Sequence, residues 1–251
     1  MGVLNVTPDS FSDGGLWFDH EAAIAHGLQM FAEGATIVDV GGESTRPGAE
    51  PVDEAEELRR ILPVIEALTP HGRVSVDTMK ASVAEAAIGV GATLVNDVSA
   101  SLFEVAASAG VGWVAMHMRG TPRTMQSDPR YDDVLTEVRA FLADRAARAL
   151  AAGCPEVWID PGLGFGKTAD HNLSLLRRLD QLVATGHPVL VGASRKSFVG
   201  RLTGGAPEND RLEGSLAVAV WAARAGAGMI RAHDVAPTVQ AMRVVADEVA
   251  V

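Results

Sequence analysis

The sequence predicts an α/β chain folding as one (β/α)8 TIM barrel, and three observations carry that prediction. Short apolar runs that close on a polar residue recur about eight times from one end of the chain to the other. All but the interval from Val74 to Asn96 leave room for a full helix and its loops before the next run. The length of 251 residues matches the ~250 that such a barrel takes, so residues 1–251 read as a single domain with nothing left for a second core.

In order, the strand runs are Val3–Asn5, Thr36–Asp39, Val74–Asp77, Thr93–Asn96, Trp113–His117, Val157–Asp160, Pro188–Ser194 and Met229–His233. Each is too short for a helix that would bury itself, and apolar runs of this length suit the buried strands of a parallel sheet. Between them fit helices over His20–Glu33, Asp53–Leu68, Lys80–Val90, Leu102–Ala109, Asp133–Ala152, Ala169–Ala184, Asn209–Ala225 and Ala236–Val249. Acids or caps open several of them, as in Asp53-Glu54 and Asp132-Asp133. Glycines close others, at Gly34, Gly91, Gly110, Gly153, Gly186 and Gly226. The loops leading back into strands are short. Those after the first, second and fifth strands are long and rich in Gly, Pro, Ser and Arg, so loop length concentrates on the face where a barrel does its chemistry.

Composition narrows the partners. At 47% hydrophobic and 21% charged residues, with no apolar stretch long enough to span a membrane and no basic, apolar leader, the chain reads as a cytoplasmic globular protein with no membrane partner. A formal charge of −11 argues against nucleic acid, which demands a clustered basic face. An anionic ligand would need a few local cations to hold it against that field. The lone Cys154, set between Gly153 and Pro155, can form no internal disulfide and reads as an inert packing residue.

The strand ends hold the chemistry. Asp77, Asn96 and Asp160 each terminate an apolar strand, and three acceptors converging on one barrel mouth suit a ligand rich in N–H donors, such as an aminopyrimidine. For any one of them the alternative is a structural carboxylate or amide bonded to neighbouring loops. Lys196 and Arg231 follow strand segments directly and so move toward the rim, where a guanidinium can also stack on a heteroaromatic ring. Pro161–Thr168, Pro-Gly-Leu-Gly-Phe-Gly-Lys-Thr, misses the phosphate-binding P-loop at its first position, and its glycines lack dinucleotide-fold spacing. The stretch reads instead as a place where a ligand approaches the backbone beside Phe165. Nothing near His117 and His233 completes a transition-metal set. Asn5 alone is a weak metal signal.

The residues carry a family resemblance. Met1–Gly15, Met-Gly-Val-Leu-Asn-Val-Thr-Pro-Asp-Ser-Phe-Ser-Asp-Gly-Gly, resembles the first signature of the dihydropteroate synthases, and Val38–Gly48, Val-Asp-Val-Gly-Gly-Glu-Ser-Thr-Arg-Pro-Gly, resembles their second. Further matches follow in order at Val74–Thr78, Val95–Val98, Met116–Gln126, Ile159–Lys167, Gly192–Gly200 and Ile230–Val235. The resemblance implies a transferase that condenses (7,8-dihydropterin-6-yl)methyl diphosphate with 4-aminobenzoate, giving 7,8-dihydropteroate and diphosphate for folate synthesis. It implies that Asp77, Asn96 and Asp160 grip the donor edge of the pterin, with Lys196 on the ring and Arg231 stacked over it. The diphosphate is expected against Asn5, Thr45, Arg231 and His233 with Mg2+, Asn5 being the metal's protein ligand. Asp13 is expected to stabilise the methylene cation left when diphosphate departs, so that Asp13, Lys196, Arg231 and His233 form the catalytic group. Phe11, Arg46, Pro47, Phe165 and Ser197 are expected to hold 4-aminobenzoate, its carboxylate at Ser197 and the helix start that follows. Sulfonamides would then be inhibitors.

Two departures from the family pattern stand out. Members commonly carry residues ahead of the first signature, so either a longer start or a less covered barrel floor is expected. Ala232 stands between Arg231 and His233 where Val is the expected residue. Two rival readings are a pterin-binding methyltransferase domain, which the two loop signatures and Ser194-Arg195-Lys196 oppose, and a binding-only paralogue, which the presence of Asp13, Thr45, Arg46 and Lys196 opposes. A homodimer built through barrel helices is also expected, with the apolar Gly214–Ala227 segment and its Trp221 as the candidate face.

Overall fold

The structure is a computed structural model that describes residues 1–7, 20–46 and 48–249. Its elements alternate in chain order: β1 (Gly2–Asn5), α1 (His20–Ala32), β2 (Ile37–Gly41), α2 (Glu54–Leu68), β3 (Arg73–Asp77), α3 (Ala81–Gly89), β4 (Leu94–Asp97), α4 (Phe103–Ala109), β5 (Gly112–Met116), α5 (Val134–Ala151) and β6 (Val157–Asp160). They continue with α6 (Ala169–Arg177), α7 (Asp180–Val183), β7 (Leu190–Val191), α8 (Ser197–Leu202), a 3-10 turn at Glu208–Asp210, α9 (Leu212–Arg224), β8 (Met229–Ile230) and α10 (Val235–Val249).

Strands β1 to β6 pair in parallel in sequence order, and β7 pairs with β8. Parallel bridges Ile159↔Val189 and Gly2↔Ala232 join the two sheets at both seams, so the strands close into the expected barrel. The seam at β1 is held by Val3 N–H donating to Ala232 O at 3.0 Å. The main core lies between strands and helices, with Leu4, Ile61, Ile65, Leu68, Leu142, Ile159 and Leu175 fully buried. A smaller cluster of Ile37, Leu94, Val114 and Leu190 has Met1, Trp158 and Met229 packed against it.

The expected punctuation is in place. Asp53 and Asp133 accept from the first-turn amides of Ala55 (2.9 Å) and Thr136 (2.7 Å), which satisfies N–H groups that a helix start leaves unpaired. All six glycines read as helix stops adopt positive φ, where a side chain would be strained. Cys154 is buried, its thiol donating to Phe103 O at 3.2 Å and pushed up in pKa by burial, as an inert thiol should be.

Differences from the sequence reading are local. The second strand runs on past Asp39 to Gly41, the fourth ends on Asp97 rather than Asn96, and the last two shrink to two residues each. The helix expected over Ala169–Ala184 breaks after Arg177, where Arg178 reaches across to Asp133 at the start of α5 (3.0 Å) and Leu179 and Leu182 turn into the core. That break answers a neighbour in space, and no Gly or Pro marks it.

Candidate active site

Strand register assembles the mouth. One row runs Asn5, Gly41, Asp77, Asn96 across β1 to β4. Gly41 fits because a Cβ there would stand 3.3 Å from the Asp77 side chain, so the row keeps open space between Asn5 and Asp77. Asp39, two residues before Gly41 on the same strand face, sits one layer deeper and is fully buried. From there its Oδ2 accepts from Arg231 Nε (2.6 Å) and Asn96 Nδ2 (2.8 Å). The Arg231 Nη2 donates in turn to Asp77 Oδ2 (2.7 Å). Burial works against the Arg231 charge, but Asp39 and Asp77 outweigh it and raise its pKa. Asn96 donates one of its two amide N–H groups to Asp39, which fixes the nitrogen toward Asp39 and turns the amide oxygen away from it.

The carboxylates of the mouth are held unlike ordinary ones. Burial pushes Asp77 up to about 7 against the pull of Arg231, with Asp39 adding to the rise. Asp160 is raised by burial too, while Lys196 and the Gly162 N–H (2.7 Å to Oδ1) oppose the rise. Lys196 is lowered to about 8, again by burial, with Asp160 opposing. Its Nζ donates to Leu163 O (2.6 Å) and lies 4.5 Å from the centre of the Phe165 ring. Phe165 therefore sits against the cation that also faces Asp160.

The turn that delivers Lys196 is strained. Arg195 adopts φ 59°, a left-handed conformation unusual for a side-chain-bearing residue. Its neighbours over-determine it: Arg195 N–H donates to Ser215 Oγ (3.0 Å), Arg211 Nη1 donates to Arg195 O (2.8 Å), and the guanidinium pairs with Asp234 through two N–H groups. The result puts Lys196 at the cap of α8 and leaves Ser197 exposed as its first residue.

On the other side of the mouth, His233 is kept neutral, its pKa lowered to about 3 by burial and by Arg231 and Arg195, and its Nδ1 lies 3.1 Å from Ser194 Oγ. Thr45 is half-buried; Arg46 is exposed and pairs with Glu208 of the 3-10 turn (2.7 Å). The base of their loop is pinned, with Arg60 on Gly42 O (2.8 Å) and Lys80 donating to both Glu43 and Glu57. Phe11, Asp13 and Pro47 lie outside the described residues. Among the described residues no group of three or more His, Cys, Asp or Glu side chains is placed to hold a metal ion.

The structure thus gathers Asp77, Asn96, Asp160, Lys196, Arg231 and Phe165 through direct contacts or shared partners, and sets Arg46 apart on its own ion pair. Two residues of this neighbourhood escaped the sequence reading as site components. Asp39 was visible only as another polar strand end, and Lys167, buried behind the Gly162–Gly166 loop, was passed over with the rejected P-loop.

Comparison with known proteins agrees with this geometry. Residues 1–233 match the family model described as pterin binding enzyme. Dihydropteroate synthase of Escherichia coli strain K12 is 49% identical over 253 residues, covering 98% of this chain and 89% of that protein. The Yersinia pestis dihydropteroate synthase in complex with a sulfonamide drug superposes with a TM-score of 0.93 at 46% identity, covering all of this chain and 94% of the other. The Xanthomonas albilineans dihydropteroate synthase with 4-aminobenzoic acid does so with a TM-score of 0.93 at 47% identity, covering all of this chain and 92% of the other. With a barrel mouth that sets three acceptors against two cations, and with identity near one half along almost the whole chain, this chain belongs to the dihydropteroate synthases, within the pterin-binding enzymes.

Proposed function

We infer that this chain joins (7,8-dihydropterin-6-yl)methyl diphosphate to 4-aminobenzoate, forming 7,8-dihydropteroate and diphosphate. The observation that carries the reading is the convergence of Asp77, Asn96 and Asp160 with Lys196 and Arg231 at one mouth, a polarity that fits the donor edge of an aminopyrimidine ring. In the reaction the C–O bond to diphosphate breaks with its electron pair leaving on oxygen. The aniline nitrogen then forms the new C–N bond and loses a proton. No side chain need attack. The protein's contribution is to position both partners and to stabilise charge on the cation and on the leaving group.

In this reading Asp77, Asn96 and Asp160 hold the pterin, Lys196 contacts the ring and Arg231 stacks on it. Thr45, Arg231 and a neutral His233 face the diphosphate, and Asp13 stabilises the methylene cation. Phe11, Arg46, Pro47, Phe165 and Ser197 take 4-aminobenzoate. The exposed Arg46 must leave Glu208 to do so, which is a small cost for an ion pair in water. Asn5, a hard oxygen donor in the same register row as Asp77, suits Mg2+ whose other ligands come from diphosphate and water. That ion would help neutralise the leaving group. Sulfonamides are proposed as competitors of 4-aminobenzoate.

We also read residues 1–251 as one pterin-binding barrel domain of a cytoplasmic enzyme that works as a homodimer. No helix of the described residues is long and apolar enough to cross a membrane. Trp221 on α9 and Val244 on the adjacent α10 are exposed, the kind of apolar surface a second copy would cover.

Release of diphosphate that requires both substrates tests the activity directly. Release from the pterin diphosphate alone, or no release with both present, would overturn it.

A further inference from the structure

The five consecutive carbonyl groups of Gly162–Gly166 all receive side-chain hydrogen bonds. Lys167 Nζ donates to Gly162 O (3.0 Å) and Phe165 O (3.1 Å), Lys196 Nζ to Leu163 O (2.6 Å), Gln126 Nε2 to Gly164 O (2.6 Å) and Tyr131 OH to Gly166 O (2.8 Å). A loop next to a ligand site would ordinarily leave several of these to water. Here the donors come from the cap of α8, from the loop after β5 and from the residue that follows the Gly162–Gly166 run.

Lys167 is the centre of this arrangement. It is 3% exposed, and besides the two loop carbonyls its Nζ meets His117 O (3.2 Å) and His117 Nδ1 (2.9 Å). Three carbonyl dipoles thus point their negative ends at one buried atom, an arrangement that repels itself unless that atom donates. The backbones are also in direct contact there. A Cβ on Gly162, which has φ +64°, would lie 1.9 Å from His117 O, and one on Gly166 would lie 2.4 Å from Arg119 O. The seam between the loops after β5 and β6 is therefore tight and lined with acceptors, and at its buried centre the donor is the Lys167 amine, with Gln126 and Tyr131 bridging it further out. Burial lowers the Lys167 pKa well below the ordinary lysine range, with Asp160 opposing, as expected for a head group taken out of water.

We propose that Lys167 is a positioning residue for the amine half-site: by tying Gly162 O and Phe165 O to the end of β5, it sets the Gly162–Gly166 loop and so the Phe165 ring against Lys196. The assignment rests on reading Phe165 as part of the 4-aminobenzoate site. Lys167 touches neither substrate. Asp160 depends on it less, because Asp160 belongs to strand β6 and is held by the ladder itself.

Lys167→Met keeps the length and removes the donors. In the full-length protein it should raise the KM for 4-aminobenzoate about tenfold, change the Kd for a dihydropterin less than threefold, and speed amide exchange at Phe165 about tenfold relative to α5. Tyr131→Phe, which removes one outer donor and keeps the ring, should move KM in the same direction by about threefold. A folded Lys167→Met protein that melts earlier but keeps both KM values within twofold would overturn the proposal, leaving a role in stability alone. Should Lys167→Met fail to fold, a Gln126→Leu/Tyr131→Phe double variant decides: a threefold or larger rise in that KM supports the proposal, and an unchanged KM overturns it. Amide exchange needs no substrate, so a wild-type protein without synthase activity would sink the functional reading while the clamp is still judged by exchange at Phe165.

Discussion

Asp97 and Asp160 are both buried carboxylates that end apolar strands of the same barrel, yet the protein satisfies them in opposite ways. Asp97 accepts from Ser99 N, Ser101 N (2.6 Å), Leu102 N (2.6 Å), Ser99 Oγ and Trp113 Nε1 (3.2 Å), so the loop after β4 folds around it. Among the described residues the hydrogen-bond donor on Asp160 is one amide, that of Gly162, with Lys196 nearby. The lesson is that burial alone does not mark a ligand-binding carboxylate. What separates the two is whether the following loop supplies backbone donors or turns them elsewhere, leaving acceptor capacity toward the mouth.

The comparison breaks first at Asp97. Asp97→Ala should be the most damaging change, since it strands three backbone amides and an indole N–H; a loss of at least ~3 kcal/mol is expected from hydrogen bonds to a charged group, read as a fall of roughly 6–12 °C in melting temperature. Asp160→Asn should do the reverse. The fold should melt within a few degrees of wild type while affinity for a dihydropterin falls at least about tenfold, because the amide sets a donor against the ligand's own N–H groups. Calorimetry and a melting curve on both variants check the pair, and equal effects on binding and stability would erase the distinction.

The pH dependence sharpens it. With Asp77 at about 7, its carboxylate accepts above that pH and is lost as an acceptor below it, so dihydropterin affinity should fall by up to about tenfold per unit on the acid side. Asp160, also raised by burial, acts in the same direction. Lys196 at about 8 loses its cation above that pH, giving a falling limb on the alkaline side. His233 and His117, both lowered to about 3, contribute no limb near neutrality. Asp77→Asn should flatten the acid limb in a pH titration of binding.

The smallest expected effect is at Ser197. Ser197→Ala should raise the KM for 4-aminobenzoate a few-fold and shift sulfonamide inhibition with it, with little change in pterin affinity or melting temperature, because the exposed hydroxyl offers one hydrogen bond to a carboxylate that water also reaches. Steady-state kinetics with each substrate varied in turn would show it.

Much of this was readable in the linear chain because barrel strands are short and buried on both faces. An apolar run closing on a polar residue then states both where a strand lies and which end faces the ligand. The gathering of Asp77, Asp160, Lys196 and Arg231 at one mouth is legible this way, and the stop glycines and Asp caps follow from backbone sterics and unpaired helix-end amides. For Thr45, Arg46 and Ser197 no local pattern carries a role, and only the family resemblance implies one.

Other features depend on neighbours distant in sequence, and only folding decided them. Asn96 and Asp97 are adjacent and equally polar, but the pleat points them to opposite faces, one toward Asp39 in the barrel interior and the other into a loop outside it. Asp39 gained its place as the deep anchor of Arg231 through contact across 192 residues. Lys167 stands out in the linear chain only as part of a stretch that misses the P-loop, and its place emerges once the end of β5 is laid against its loop and three carbonyls close on it. Local sequence encodes period, caps and turns because those are set by a residue and its near neighbours; which buried polar group is satisfied by protein and which is left for a ligand is set by strand register and loop packing, and these exist only once the barrel has closed.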